Sequence, residues 1–159
     1  MKKKTAVEKI SESEKTALYS ISFENDGTTE FEKFVEEFEQ NAKYNRDYQR
    51  IIAALQAILN LGALERFFRP EGKIKDSVAA IPIEGGKLRL YCLRISEQIV
   101  ILGNGGVKST RTYEEDSVLK GCVEALQKID IQIRNKEVCK EIIIKGSKLL
   151  GELSFTIEI

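Results

Sequence analysis

Histidine is absent from all 159 residues, which removes Ser-His-Asp and Cys-His nucleophile pairs and the commonest general base near neutral pH. Any acid or base in this chain must be Asp, Glu, Lys, Tyr or Arg. The cysteines, Cys92, Cys122 and Cys139, are an odd number at wide spacings. Without histidine they do not form a zinc pattern, so neither metal nor cofactor is expected, and each reads as a small apolar core residue. Apolar runs such as Ile51 to Leu55 and Ile99 to Leu102 fall far short of the roughly 20 residues a membrane span requires. The opening MKKKTAVEKISESEK has positive charge with no apolar stretch behind it. It therefore reads as a polar tail, residues 1–16, of a cytoplasmic protein and not as a secretory signal. There is no internal repeat and no low-complexity linker. The GNGG of residues 103–106 lacks both GxGxxG spacing and a GK[ST] ending, so dinucleotide and P-loop recognition are unsupported and a small-molecule module is the weakest function class.

What is present is an ordinary globular composition, 42% hydrophobic and 31% charged, consistent with one folded domain over residues 17–159. Net charge is zero but unevenly placed. Residues 1–43 hold 7 Lys/Arg against 10 Asp/Glu, residues 44–113 hold 11 against 6, and residues 114–159 hold 7 against 9. The middle is therefore basic, the sign that faces phosphate.

Hydrophobic periodicity predicts an α+β order. Ala17 to Phe23 alternates as a strand, with Tyr19, Ile21 and Phe23 on one side. Thr28 or Thr29 can cap a helix whose apolar face is Phe31, Phe34, Val35 and Phe38. A second helix restarts near Asn45, runs through Tyr48, Ile51, Leu55 and Ile58 to about Leu61, and has Gly62 as its cap. The short junction between them predicts an antiparallel helix hairpin. Ser77 to Ile83, Lys87 to Ile95 and Ile99 to Leu102 then read as a three-stranded antiparallel meander. Within it, Arg89 and Tyr91 point the same way. Gly103, Asn104, Gly105 and Gly106 are expected to end the last strand in a loop that presents Lys108, Arg111 and Tyr113. A third helix follows to Asp130 or Arg134, and residues 135–159 read as a C-terminal extension of two short extended runs.

Two stretches carry candidate chemistry. Residues 63–76 set Arg66, Arg69, Lys73 and Lys75 among Phe67 and Phe68, a mixture that can bind nucleic acid by phosphate contact and base stacking, although the aromatics equally suit a core. Residues 87–113 supply Arg89, Lys108, Arg111 and Tyr113.

The order strand, helix pair, antiparallel meander and then Arg, Lys and Tyr beyond the last meander strand resembles the RelE and HigB toxin superfamily, including its phage Gp49-like branch. The resemblance is carried by GGKLRLYCLRI and IVILGNGGVKSTRTY. It implies a RelE-like α+β domain with an N-terminal helix hairpin and a C-terminal helix. It also implies a toxin component of a toxin-antitoxin system, a cytoplasmic partner of a helix-turn-helix antitoxin. Active members of that superfamily are ribosome-dependent endoribonucleases that cleave mRNA. By position, Arg89 matches the strand arginine aimed at phosphate, and Arg111 and Tyr113 match the residues after the strand. Lys108 is a second catalytic candidate, and Arg66, Arg69, Lys73 and Lys75 are the RNA-binding set. Cleavage beside a 2′-hydroxyl needs deprotonation, charge stabilisation and protonation of the leaving oxygen, which Lys, Arg and Tyr can divide. The alternative is a non-catalytic member that only binds a partner protein.

Overall fold

A computed structural model describes residues 1–71 and 76–159 of the chain. Lys73 and Lys75 lie outside the described residues. Among the described residues the fold is α+β, with three α-helices and a mostly antiparallel sheet. Its strands are β1 (Lys2–Glu12), β2 (Ala17–Phe23), β3 (Arg69–Pro70), β4 (Val78–Ala80), β5 (Leu88–Arg94), β6 (Ile99–Val107), β7 (Ile142–Lys145), β8 (Lys148–Gly151) and β9 (Ser154–Glu158). The helices are α1 (Glu30–Phe38), α2 (Asn45–Leu61) and α3 (Ser117–Val138). Seven strands form one sheet in the order β3-β4-β5-β6-β2-β1-β9, and β7 and β8 pair separately. Within the seven-stranded sheet only β2 and β6 run parallel.

The alternation along β2 decides which layer packs where. Tyr19, Ile21 and Phe23 join a core with α3 residues Leu119, Val123, Leu126 and Ile129, whereas Leu18 joins the core of α1 and α2. Strand β5 divides the same way, with Leu88, Leu90 and Cys92 towards α1 and α2, and Tyr91 and Leu93 towards α3. Local signals set the helix ends. Thr29 and Glu32 form a reciprocal capping box on α1, and Asp116 Oδ1 accepts from the Val118 and Leu119 N–H groups at the start of α3. Gly62 ends α2 at φ 101°, a conformation that favours glycine. Phe34 and Tyr48, with ring centroids 6.2 Å apart, join α1 to α2.

Three sequence expectations are corrected. Residues 1–16 are not a tail, because Lys2–Glu12 forms β1, paired with β2 on one side and β9 on the other. Thr5 and Val7 are buried while Lys2, Lys4, Glu8, Lys9 and Glu12 are exposed, so a half-buried strand reads as a polar segment. The glycine run is not a loop either. Gly103 to Gly106 continue β6, and none of them has positive φ. A Cβ on Gly103 would lie 3.0 Å from Leu126 Cδ1, and one on Gly105 would lie 1.8 Å from the Arg89 carbonyl oxygen. These glycines allow close approach of α3 and β5 rather than a turn. Finally, Cys92 is buried but Cys122 is half-buried and Cys139 exposed, so the three do not share a core role.

The C-terminal segment has two parts with different duties. Strand β9 extends the sheet beside β1. The β7–β8 hairpin covers the α3-side core, held by Tyr19, whose hydroxyl donates to the Ser147 carbonyl (3.1 Å) and accepts from the Leu149 N–H (3.0 Å).

Candidate functional site

Register places the arginines. Arg69 on β3 is opposite Ala80 on β4, and Ala80 is opposite Tyr91 on β5, so the three side chains share one face of the sheet. Arg89, two residues before Tyr91, points to that face too. It is the face covered by α3, since the residue opposite Arg89 is Gly106, whose missing Cβ would sit 3.3 Å from Leu119 Cδ2. Arg69 and Arg89 together line a cleft of about 490 Å³ closed at its end by the Pro82 to Gly86 turn.

The two guanidiniums are held differently. Arg89 Nη1 donates to the carbonyls of Gly86 (2.9 Å) and Leu88 (3.0 Å), which fixes its fork at the cleft wall. The residue opposite Arg89 on β6 is Gly106, which offers it no cross-strand side-chain partner. Arg69 is exposed and lies 3.6 Å from Glu71 Oε1, a separation too long to consume its donors. The cleft thus holds two planar cations of the type that binds phosphate, with the Glu84 carboxylate also in its lining and Glu71 beside Arg69.

The other candidates are less gathered. Lys108 follows β6, and its N–H donates to the Lys87 carbonyl (2.7 Å), so it lies near Arg89 along the same strand pair. Arg111 is exposed in the next loop, where its backbone N–H faces Glu115 Oε2 at 3.4 Å. Tyr113 starts a single 3₁₀ turn, half-buried against the α3-side core. None of these three lines the arginine cleft. Arg66 is exposed and stacks on Phe67, with 4.9 Å from guanidinium carbon to ring centroid. Phe68 is buried and Phe67 packs against the α1/α2 core, so the aromatics of residues 63–76 serve packing.

Two residues outside the candidate site set, Tyr91 and Glu71, complete the surroundings. Tyr91 is buried beside Arg89, and burial raises its phenol pKa, with Glu71 adding to the rise and Arg89 opposing it. Burial likewise raises the Tyr113 phenol, and Glu114, Glu71 and Asp76 reinforce the effect. Glu71 thus acts electrostatically on both phenols. Each keeps its proton at neutral pH, which makes Tyr113 a hydrogen-bond donor and not a base. The alternation of β5 predicts the direction of Tyr91, but Glu71 has no sequence signal because its role comes from the β3–β4 return.

No family model, curated protein or solved structure matches this chain. Among the described residues, no helix is long and apolar enough to cross a membrane.

Proposed function

We propose that this chain is a RelE/HigB-like toxin component whose RNA-binding site is the Arg69–Arg89 cleft. The observation that carries the reading is that register and bonding set two guanidiniums into one cleft, on the sheet face that also carries Tyr91. The succession of β2, the α1 and α2 pair, the β4–β5–β6 meander and α3 supports the RelE-like arrangement. Arg69 and Arg89 bind the phosphate oxygens while the 2′-hydroxyl oxygen attacks phosphorus and passes its proton to water. The bond to the 5′ oxygen breaks, and Tyr113, on the 3₁₀ turn outside the cleft, donates a proton to that leaving oxygen. Lys108 and Arg111, on the segment after β6, supply further cations for the RNA backbone. The partner is an antitoxin protein, and cleavage is directed at mRNA on the ribosome.

Controlled expression tests the activity. The wild-type chain is expected to arrest growth and yield cleaved transcripts, and Arg69→Ala with Arg89→Ala to relieve both. Unimpaired growth, with no cleavage on purified ribosomes, removes the nuclease and leaves a non-catalytic protein that binds a partner. That second reading is favoured by a groove at the far end of the sheet.

A further inference from the structure

A depression that a macromolecule can enter lies between β1 and the α1/α2 pair, far along the sheet from the arginines. It is an open groove of about 690 Å³. Ile10, Leu18, Val35, Ile52, Leu55 and Leu59 line it. Leu18, Leu55 and Leu59 are buried at its base, while Ile10, Val35 and Ile52 are half-buried on its walls. Its rim is acidic. Glu8, Glu32 and Glu36 line the groove and are exposed, and the one rim cation, Lys9, is already bonded to Glu12 at 3.0 Å. Residues 30–39 as a whole hold five glutamates against one lysine, and that lysine, Lys33, is paired with Asp26 and Glu30.

We propose that this groove docks an amphipathic helix of a protein partner, with its apolar stripe on the Leu18–Leu55–Leu59 floor and lysine or arginine side chains on the glutamate rim. An apolar groove flanked by one sign of charge selects a helix with apolar residues at i, i+3, i+4 and i+7 and the opposite charge beside them. The acidic rim repels nucleic acid and anionic lipid alike, so the occupant is a protein. Its form follows from β1. Strand β9 pairs only with Lys2 to Ala6, so β1 has a strand partner on one side alone from Glu8 onwards. The β1–β2 register shifts between Lys9 and Ser11. Such an irregularity twists an edge away from straight strand addition, which leaves a helix lying in the groove as the fitting occupant. This inference does not rest on the RNA reading, because the two sites share no residue.

The test uses the full-length protein and a fluorescent helical peptide with leucines along one face and lysines at its flanks, compared with the same peptide carrying glutamates for the lysines. The lysine peptide is expected to bind saturably and to shift the backbone NMR signals of Val35 and Ile52. Glu8→Lys with Glu36→Lys is expected to weaken it by at least about tenfold. Val35→Arg, which fills a wall, is expected to abolish binding while the thermal melt is kept, and Ile52→Arg serves as a second blocking variant if Val35→Arg does not fold. Arg69→Ala with Arg89→Ala is expected to leave peptide binding unchanged, so failure here is separable from failure of the RNA reading. Equal binding of the two peptides, indifference to the charge swap, absence of saturable binding, or self-association abolished by Val35→Arg would each overturn the proposal, the last by assigning the groove to a second copy.

Discussion

At the β3–β4–β5 end of the sheet, two arginines share a small cleft above a tight turn; at the β1 end, three exposed glutamates rim a larger apolar floor. Both regions are built on the same sheet, and the chain carries no net charge. Zero net charge here does not mean an even surface: two guanidiniums line one depression and three carboxylates rim the other. A ligand within about one Debye length, roughly 8–10 Å, meets the local field and not the total. Weak bulk attraction to RNA is therefore compatible with a local phosphate site. An acidic groove elsewhere suits a basic protein partner and turns nucleic acid away.

The construction of the two regions differs as well. The arginine cleft depends on register, because β5 must approach β6 closely enough to aim Arg89. Gly105→Ala places a Cβ against the Arg89 carbonyl oxygen, where backbone cannot yield easily. It is expected to cost about 3 kcal/mol, at the upper end of overpacking effects, in chemical denaturation. In the fraction that stays folded, RNA binding should fall while peptide binding in the groove survives. A cost below about 1 kcal/mol would show that the β5–β6 approach does not position the cleft.

A second way to separate the two ends is through Asp130, which anchors β4 to α3. Asp130 is buried, its Oδ2 accepts from the Ser77 N–H (3.2 Å), and it pairs with Arg134 (3.0 Å). Asp130→Ala leaves the Ser77 N–H without this acceptor and is expected to cost about 1–3 kcal/mol in thermal or urea unfolding. The pH dependence has a definite sign. Burial raises the Asp130 carboxyl above its usual value, against the opposing effects of the Ser77 hydrogen bond and Arg134. The folded state therefore holds this proton more tightly than the unfolded chain. That contribution to stability is full below the unfolded pKa of about 3.9 and is lost as pH rises through the folded value. Wild type minus Asp130→Asn stability should accordingly grow as pH falls from 7 towards 4. A difference that shrinks over that range contradicts the burial argument.

Smaller effects are expected at the cleft itself. Arg69→Ala with Arg89→Ala should cost about 1 kcal/mol, nearly all of it from the lost Arg89 bonds to the Gly86 and Leu88 carbonyls, because Arg69 is exposed. It should weaken single-stranded RNA binding by about tenfold. The smallest expected change is Tyr113→Phe, which keeps the ring against the α3-side core and removes the donor. RNA affinity should move by less than about twofold, well under 1.4 kcal/mol, while transcript cleavage on ribosomes falls. Equal loss of both would make Tyr113 a binding group and not a proton donor.

Much of the fold was legible in the sequence. Alternation gave β2 its bounds and faces, the Phe31 to Phe38 spacing gave α1, and Gly62 marked the end of α2. Local signals failed where the deciding contact was distant. The lysines and glutamates of β1 follow a half-exposed strand, but only pairing with β2 and β9 makes that visible. The glycines of β6 signal a turn by propensity, yet the neighbours that require them are Leu126 and the Arg89 carbonyl. At the site, Arg89 and Arg69 were recognisable as phosphate-binding types, but their meeting follows from the two-residue strand β3. Glu71 and Tyr91 matter through the same return. The groove was legible only in part, as an acidic α1 with an apolar face, because its other wall comes from β1.

The salt dependence of RNA binding tests the account most directly. A fluorescent single-stranded RNA is titrated with wild type and with Arg69→Ala/Arg89→Ala over a range of salt concentrations. Each lost phosphate contact lowers the slope of log affinity against log salt by about 0.7, so the double variant should show a slope smaller by about 1.4. An unchanged slope, with unchanged affinity, would contradict the assignment of the arginine cleft as the phosphate site.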